Sequence, residues 1–178
     1  MASKLFSPLQ IKNITLKNRI VISPMCQYSS KDGFANDWHL AHLGSRATGG
    51  AALIIQEATA VSPEARISPS DMGLWKDEHI EKLKAINTFI LSQNAIPGIQ
   101  LAHAGRKASV SEPWNGNKKL IGAQGGWQTV APSAIQYHDD EPFHPTALDK
   151  DGIQKVISDF KAATKRAVQA GFQVVEIH

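Results

Sequence analysis

The chain has 178 residues, of which 42% are hydrophobic and 20% are charged, and its formal net charge is +3. This length and composition are enough for one globular domain with a real core and exclude a disordered chain. The Lys and Arg residues are scattered and form no basic stripe with interleaved aromatic residues, so nucleic-acid binding is not expected.

The cysteine content and the N-terminal segment bear on the compartment. Cys26 is the only cysteine, which permits no internal disulfide and no cysteine-rich metal site and agrees with a reducing environment. The opening "MASKLFSPLQIKN" lacks the apolar region of a secretory signal, and no apolar run approaches the length of a membrane span. We therefore expect a cytoplasmic protein that does not associate with membranes.

The chain opens with a predicted β-hairpin, and four strands follow. The segment from Phe6 to Asn18 predicts a hairpin with Asn13 in or near its turn, placed as a plug over one end of a barrel. The later apolar runs are nearly continuous rather than alternating, which predicts strands that are buried on both faces. These strands are Ile20 to Ile22, Ala52 to Gln56, Ile96 to Leu101 and Phe172 to Ile177.

Helical patterns alternate with the four strands. Each predicted helix begins at a polar capping residue and ends at a glycine or an asparagine. The predicted limits are Asn36 or Asp37 to Gly49, Asp77 to Asn94, and Asp149 or Asp151 to Gly171. Strict alternation of strand and helix predicts a parallel sheet and the α/β class.

The loops distinguish a barrel from a doubly wound sheet. No glycine-rich fingerprint follows the first strand, so a dinucleotide-binding turn is not expected there. The loops that follow strands are long and rich in reactive side chains, whereas those that precede strands are short. This asymmetry is typical of a (β/α)8 TIM barrel, whose function lies at the carboxyl ends of its strands. Four βα units would form half of such a barrel.

Reactive and polar side chains follow each predicted strand. Those that follow the four strands in turn, or in the case of Gln100 lie near the end of the strand itself, are Ser23, Pro24, Met25, Cys26 and Tyr28; Glu57, Ala58 and Thr59; Gln100, His103, Arg106 and Lys107; and His178. In a parallel barrel these strand ends meet at one rim, so a thiol, a phenol, an amide and an imidazole can face one ligand.

Taken singly, these residues have structural explanations. Cys26 can be a small buried hydrophobe, and Tyr28 can be a packing residue whose hydroxyl finds a partner. Gln100 is harder to explain in this way, because an amide on an otherwise apolar strand needs hydrogen-bond partners. The coincidence at four successive strand ends favours a site.

Two other groups of polar residues are not predicted to be sites. His39 and His42 share a helix face, but the third ligand of a zinc site and the usual accompanying glutamate are absent, so no metal is expected. The acidic run Asp139 to Glu141 lies in a proline-rich loop and is expected to be solvated rather than to form a hydrolytic pair.

Six segments together resemble the old yellow enzyme family of FMN-dependent ene-reductases. They are "LKNRIVISPMCQYSS", "GGAALIIQEATAV", "ARISPSDMGLW", "IPGIQLAHAGRKAS", "APSAI" and "AGFQVVEIH". The likeness extends over essentially the whole chain and is greatest to the bacterial NADPH dehydrogenases and xenobiotic reductases with a cysteine in the first βα loop. It implies an N-terminal half, residues 1–178, of a single FMN-binding TIM-barrel domain.

The resemblance assigns flavin contacts to several positions. Cys26 is implied to lie near the reactive edge of the ring, where it tunes the redox potential and shapes the substrate pocket. Gln100 is implied to pair with the pyrimidine edge of the ring, which would give its amide the partners it needs. The other implied contacts with FMN come from Ser23, Pro24, Met25 and Ala58.

The resemblance also implies the reaction and its substrates. Tyr28 would contact the substrate, and His178 would be the first of two ligands that hold its carbonyl or nitro oxygen above the flavin. NADPH would reduce FMN, and an enone, enal, maleimide or nitro compound would then accept hydride from the flavin. Cys26, Tyr28 and His178 are thus the expected catalytic residues.

Several residues of the family pattern do not occur in this sequence. They are the second substrate ligand, the proton-donating tyrosine, a later arginine and the phosphate-binding loops. We therefore expect a complementing C-terminal half-barrel, either as a separate partner in a divided enzyme or as a later segment of a longer chain, and a homo-oligomer for the complete enzyme. Two alternatives remain: another flavin barrel, such as a dihydroorotate-oxidising one in which the cysteine is a base, and an inactive half-barrel that only assembles with a partner.

Overall fold

The computed structural model describes residues 3–178, which form a parallel sheet, three helices and an N-terminal hairpin. In chain order the strands are β1 (Leu9–Ile11), β2 (Ile14–Leu16), β3 (Val21–Ile22), β4 (Leu53–Ala60), β5 (Met72–Gly73), β6 (Ile96–Ala102), β7 (Val130–Ala131), β8 (Thr146–Ala147) and β9 (Val174–Ile177). The helices are α1 (Asp37–Thr48), α2 (Ile80–Ser92) and α3 (Lys150–Gln169).

The sheet confirms the predicted alternation of strands and helices. Its strand order is β3-β4-β6-β9 with every neighbouring pair parallel, and the short β5 adds to β4 beyond this path. One of the three helices lies between each pair of successive main strands in the chain, as repeated βα units require. The long loops follow the strands and the short ones precede them, as predicted.

The helix ends follow from local chemistry. The Asn36 side chain accepts a hydrogen bond from the Trp38 N–H and caps α1, and Asp149 accepts one from Gly152 and caps α3. Asn94 has φ 54° just after α2, which is the left-handed conformation that ends a helix. The second helix begins later than predicted, because Asp77–His79 forms a 3-10 turn before Ile80.

The main core lies between the sheet and the three helices. Ile54, Ile99 and Leu101 of the sheet are at most 1% exposed and belong to one buried cluster with residues of all three helices. A second cluster joins Leu16 of the hairpin to Ala52 and Leu53 at the start of β4. The hairpin therefore covers the amino ends of the strands, opposite the predicted rim.

The burial of the strands differs from the sequence prediction at the edges of the sheet. Strands β4 and β6 are buried on both faces, as predicted. Val21 of β3 is 46% exposed and Ile177 of β9 is 66% exposed, so β3 and β9 are not buried on both faces. Their apolar residues lie at sheet edges, where one neighbouring strand is missing among the described residues. Within residues 3–178, none of the helices combines the length and the apolar character that crossing a membrane needs.

Candidate active site

Three side chains form a row across the carboxyl ends of neighbouring strands. Ala58 of β4 is in register with Gln100 of β6, and Gln100 is in register with Glu176 of β9. The Gln100 amide nitrogen donates a hydrogen bond to Glu176 Oε1 at 2.8 Å. Sequence reasoning missed Glu176, although a lone carboxylate in the apolar run "QVVEIH" is a signal of the same kind as Gln100.

His178 lies beside this row. Its backbone N–H donates to the Leu101 carbonyl at 2.9 Å, which extends the ladder between β6 and β9. Its side chain is 66% exposed, and Nδ1 lies 4.0 Å from Glu176 Oε1. The imidazole is therefore available to a ligand at the rim, close to the Gln100 amide.

The loop after β3 brings Cys26 and Tyr28 to the same rim. Burial raises the pKa of the Cys26 thiol to about 11, and the negative charges of Glu57 and Asp71 add to this. Burial also raises the pKa of Tyr28 to about 12. Both groups are therefore neutral hydrogen-bonding groups near pH 7. Of the other residues predicted in this loop, Ser23 and Met25 are exposed and Pro24 is half-buried.

Glu57 lies inside β4, although the sequence analysis placed it after a strand that ended at Gln56. A register shift between Gln56 and Ala58 leaves Glu57 outside the regular pairing with β6. Its Oε2 accepts the Gln27 N–H at 2.8 Å, and this bond ties the Cys26 loop to the strand. Burial raises the pKa of Glu57 to about 7.

The two histidines of α1 have different surroundings. His39 is 1% exposed, and its Nε2 lies 3.5 Å from Glu57 Oε1. His42 stacks on Trp38 with 6.3 Å between ring centroids. Among residues 3–178, no three His, Cys, Asp or Glu side chains are grouped so as to hold a metal ion.

A cavity of about 560 Å³ opens beside Tyr28, and its walls come mainly from the long loops after β4 and β6. Its lining includes Ile67, Lys107 and Tyr137, of which the sequence analysis noted only Lys107. The exposed Trp114 packs edge-to-face on Tyr28 with ring centroids 5.9 Å apart.

Glu141 also lines this cavity, and here the sequence prediction was wrong. Its side chain is 7% exposed and lies 3.5 Å from the 5%-exposed Lys119, because the loop folds back and pairs the two charges. Asp139 and Asp140 are exposed, as expected.

The other polar residues noted after β6 make local contacts. His103 accepts the Gly105 N–H through Nδ1 at 3.0 Å, and Arg106 donates to Ser133 Oγ at 3.2 Å. Both bonds hold the long loop in place. The structure gives neither residue a contact with the row of Ala58, Gln100 and Glu176.

Comparison with known proteins identifies the family. The model of the NADH:flavin oxidoreductase / NADH oxidase family matches residues 4–178. The chain belongs to this family. An NADPH dehydrogenase of Listeria welshimeri is 50% identical over 178 residues, covering 99% of this chain and 48% of that protein. An NADH:flavin oxidoreductase of Gibberella zeae is 48% identical over 180 residues, covering 99% of this chain and 44% of the relative.

Two solved structures are similar to this chain over almost all of its length. Morphinone reductase is similar with a TM-score of 0.81 at 31% identity, over 98% of this chain and 47% of its own. An old yellow enzyme from a Pichia species has a TM-score of 0.85 at 27% identity, over 98% of this chain and 45% of its own. The resemblance to the old yellow enzymes and the (β/α)8 barrel class are thus confirmed, and the chain spans about half the length of these relatives.

Proposed function

We propose that this chain forms the flavin- and substrate-contacting part of an NADPH-dependent FMN oxidoreductase that reduces activated C=C bonds, and also nitro compounds. The observation that carries the proposal is the row of Ala58, Gln100 and Glu176 beside the Cys26 loop. Apart from Glu176, the row consists of residues that the family resemblance assigns to flavin, and the loop carries residues that it assigns to flavin and substrate. The NADPH dehydrogenases among the relatives support NADPH as the reductant.

The row fits the ring of FMN. Among residues 3–178 the structure gives the Gln100 side-chain oxygen no hydrogen-bond donor, and an amide oxygen is the acceptor that the N–H of the flavin pyrimidine needs. When bound, FMN would supply hydride exchange between a nicotinamide and an electron-poor acceptor.

His178 and Tyr28 would orient the substrate. The exposed imidazole of His178 can donate a hydrogen bond to a carbonyl or nitro oxygen, which withdraws electron density and makes the β-carbon a better hydride acceptor. Tyr28 remains protonated at neutral pH, so its hydroxyl can donate to the same class of oxygen. The cavity beside Tyr28 would receive the remainder of the substrate.

The surroundings of Cys26 argue against the alternative flavin barrel with a cysteine base. A general base works best when its pKa lies near the working pH, whereas burial and two carboxylates raise the pKa of Cys26 to about 11. A neutral, polarisable thiol instead suits a residue that tunes the flavin and shapes the pocket.

A complementation experiment tests the proposal. The chain would be produced together with the C-terminal half of the Listeria welshimeri NADPH dehydrogenase. This relative is chosen because the part of it that matches this chain is 50% identical. We expect bound FMN and NADPH-dependent reduction of cyclohexenone. A complex that holds flavin but reduces no enone or nitro compound would contradict the assigned chemistry.

A variant then tests the substrate ligand. His178→Ala should slow reoxidation of the flavin by cyclohexenone and leave its reduction by NADPH less affected, as resolved by stopped-flow absorbance. His144→Ala, at an exposed position in the loop between β7 and β8 and outside the lining of the cavity, is the matched control. Equal effects of the two variants would remove His178 from the proposed role.

A further inference from the structure

A buried carboxylate lies directly behind the loop that carries Cys26 and Tyr28. Glu57 is 4% exposed and sits at the irregularity in β4, between a fully buried Gln56 and the rim residue Ala58. Burying a carboxylate is costly unless it gains strong partners, and an apolar side chain would serve the core better. The position therefore calls for an explanation outside core packing.

The Glu57 carboxylate joins the Cys26 loop to two other elements. Oε2 accepts the Gln27 N–H at 2.8 Å, and Oε1 lies 3.5 Å from His39 Nε2 of α1. His39 Nδ1 lies 3.1 Å from the Asn36 backbone nitrogen and 3.0 Å from Asn36 Oδ1, and these contacts hold the ring with Nε2 facing Glu57. Nε2 also lies 3.4 Å from Ser30 Oγ at the far end of the loop.

These contacts surround a backbone conformation that needs support. Tyr28 has φ 47°, in the left-handed region that a tyrosine rarely adopts. The contact of Gln27 with Glu57 precedes it, and the contact of Ser30 with His39 follows it. The network thus supports, from both sides, the conformation in which the Cys26 thiol and the Tyr28 phenol are hydrogen-bond partners.

The charge of Glu57 also reaches the thiol. After burial, Glu57 is the largest cause of the raised pKa of Cys26, and Asp71 follows it. Asp71 is itself held by the Ile67 and Ser68 N–H groups, whereas the Ala58 amide and the Tyr28 hydroxyl act in the opposite direction. The groups that face Glu57 itself are the neutral His39 and the backbone N–H groups of Gln27 and Tyr28.

We propose that Glu57 is a positioning residue that holds Cys26 and Tyr28 through the Gln27 backbone, and that its negative charge, 2.8 Å from the nitrogen next to Cys26, further opposes ionisation of the thiol. Any effect of Glu57 on catalytic turnover rests on the proposed function. The effect of Glu57 on the ionisation of the Cys26 thiol does not rest on it, because both residues belong to this chain and no flavin is needed to measure it.

The test is the pH dependence of thiol alkylation in the 178-residue chain. Cys26 is the only cysteine, so the rate of reaction with iodoacetamide reports this thiol alone. Glu57→Gln should move the profile to lower pH and raise the rate at about pH 8.5, about tenfold for each unit by which the thiol pKa falls. Glu57→Asp keeps the charge and should stay nearer to the wild type. Glu81→Gln, an exposed change of the same kind in α2, should change nothing.

A folded Glu57→Gln chain with an unchanged profile would overturn the proposal, with folding checked by circular dichroism. Should that variant not fold, the wild-type profile decides. Ionisation of Glu57 near pH 7 should flatten the rise of the logarithm of the rate with pH around that point, because the two titrations are coupled. An unbroken rise from about pH 6 to 9 would equally overturn the proposal. Flavin binding and enone reduction in the complemented enzyme are measured separately, so failure of the proposed function would not be mistaken for this result.

Discussion

Burial and the carboxylates of Glu57 and Asp71 outweigh the groups that favour ionisation of the Cys26 side chain, and the resulting neutral thiol determines what its replacement should do. In the FMN-loaded, complemented protein, Cys26→Ala should retain the flavin but shift its redox potential, because a polarisable neutral group near the ring is lost. A shift of roughly 30 mV corresponds to about 1.4 kcal/mol in a two-electron couple, which dye equilibration can measure. Turnover abolished at an unmoved potential would instead indicate a nucleophile or a base.

His39 gives a prediction for acid stability. Burial lowers its pKa to about 4, below the value of about 6.5 in an unfolded chain. The unfolded state therefore binds the proton first, and the contribution of His39 to stability is lost as the pH falls from about 6.5 to about 4. Glu57 contributes to stability with the opposite dependence on pH. Its pKa is raised to about 7 in the folded state, so its contribution is fully present below about pH 4.5 and is lost as the pH rises to about 7.

Urea unfolding at a series of pH values measures the effect of His39. His39→Gln should remove the destabilising part that His39 contributes, so that the free energy of unfolding becomes larger relative to that of the wild type as the pH falls from about 6.5 to 4, because the side chain no longer titrates. His138→Gln, at an exposed loop position, is the control and should keep the wild-type slope. A His39→Gln slope equal to that of the wild type would show that acid unfolding has another origin.

At the scale of elements, the capping of α1 links fold and site. Asn36 accepts the Trp38 N–H and donates to the Ser29 carbonyl at 2.6 Å, so it ends the Cys26 loop and starts the helix. Asn36→Ala should lower the free energy of unfolding by about 1 kcal/mol, and Asn36→Asp, which keeps the cap, should lose less. Thr88→Ala on the exposed face of α2 is the control. Equal losses for Asn36→Ala and Thr88→Ala would contradict the capping role.

The sequence predicted the elements whose signals are local. Caps, glycines and apolar periodicity predicted the three helices and the order of the strands. The sequence analysis ended β4 too early, at Gln56. A charged residue such as Glu57 is typical of a loop, and its partners in the fold cannot be identified from the sequence. Its acceptance of the Gln27 N–H joins residues 30 positions apart, and the pair of Lys119 and Glu141 depends on a fold-back of the same kind. Contacts between distant residues leave no periodic pattern for a sequence analysis to find.

The candidate site was predicted only in part for the same reason. The positions of Cys26, Tyr28, Gln100 and His178 at strand ends follow from the parallel sheet, whose geometry brings such ends to one rim. The side-chain partners do not follow from it. Glu176 is the clearest example, since its role as acceptor for Gln100 depends on the register of β6 and β9.

At the scale of the whole molecule, two edges of the sheet and one helix face are open. Among the described residues β3 pairs only with β4, and β9 only with β6. Beside β9, the outer face of α3 exposes Ile157 and Val168, and Ile157, Phe160 and Ile177 line an apolar depression. Open strand edges and apolar patches of this kind favour association.

We therefore expect the 178-residue chain alone to associate in a concentration-dependent way and to retain little FMN after gel filtration. A C-terminal half of the Listeria welshimeri NADPH dehydrogenase should convert it into a defined complex that holds FMN, because the added strands would cover both edges. Light scattering and the flavin absorbance of the eluted peak measure the two effects. A monodisperse monomer that gains nothing from the added half would instead favour a half-barrel without activity.

The apolar depression locates the contact within this assembly. Ile157→Glu places a charge on the face of α3 that the added half would bury, so it should weaken complex formation by about tenfold or more. Ile135→Glu makes the same change at a 63% exposed loop position and should leave complex formation unaltered. Titration of labelled halves, followed by fluorescence anisotropy, gives the two affinities. If both variants bind like the wild type, the complementing half docks on another face, and the edges β3 and β9 must account for association without α3.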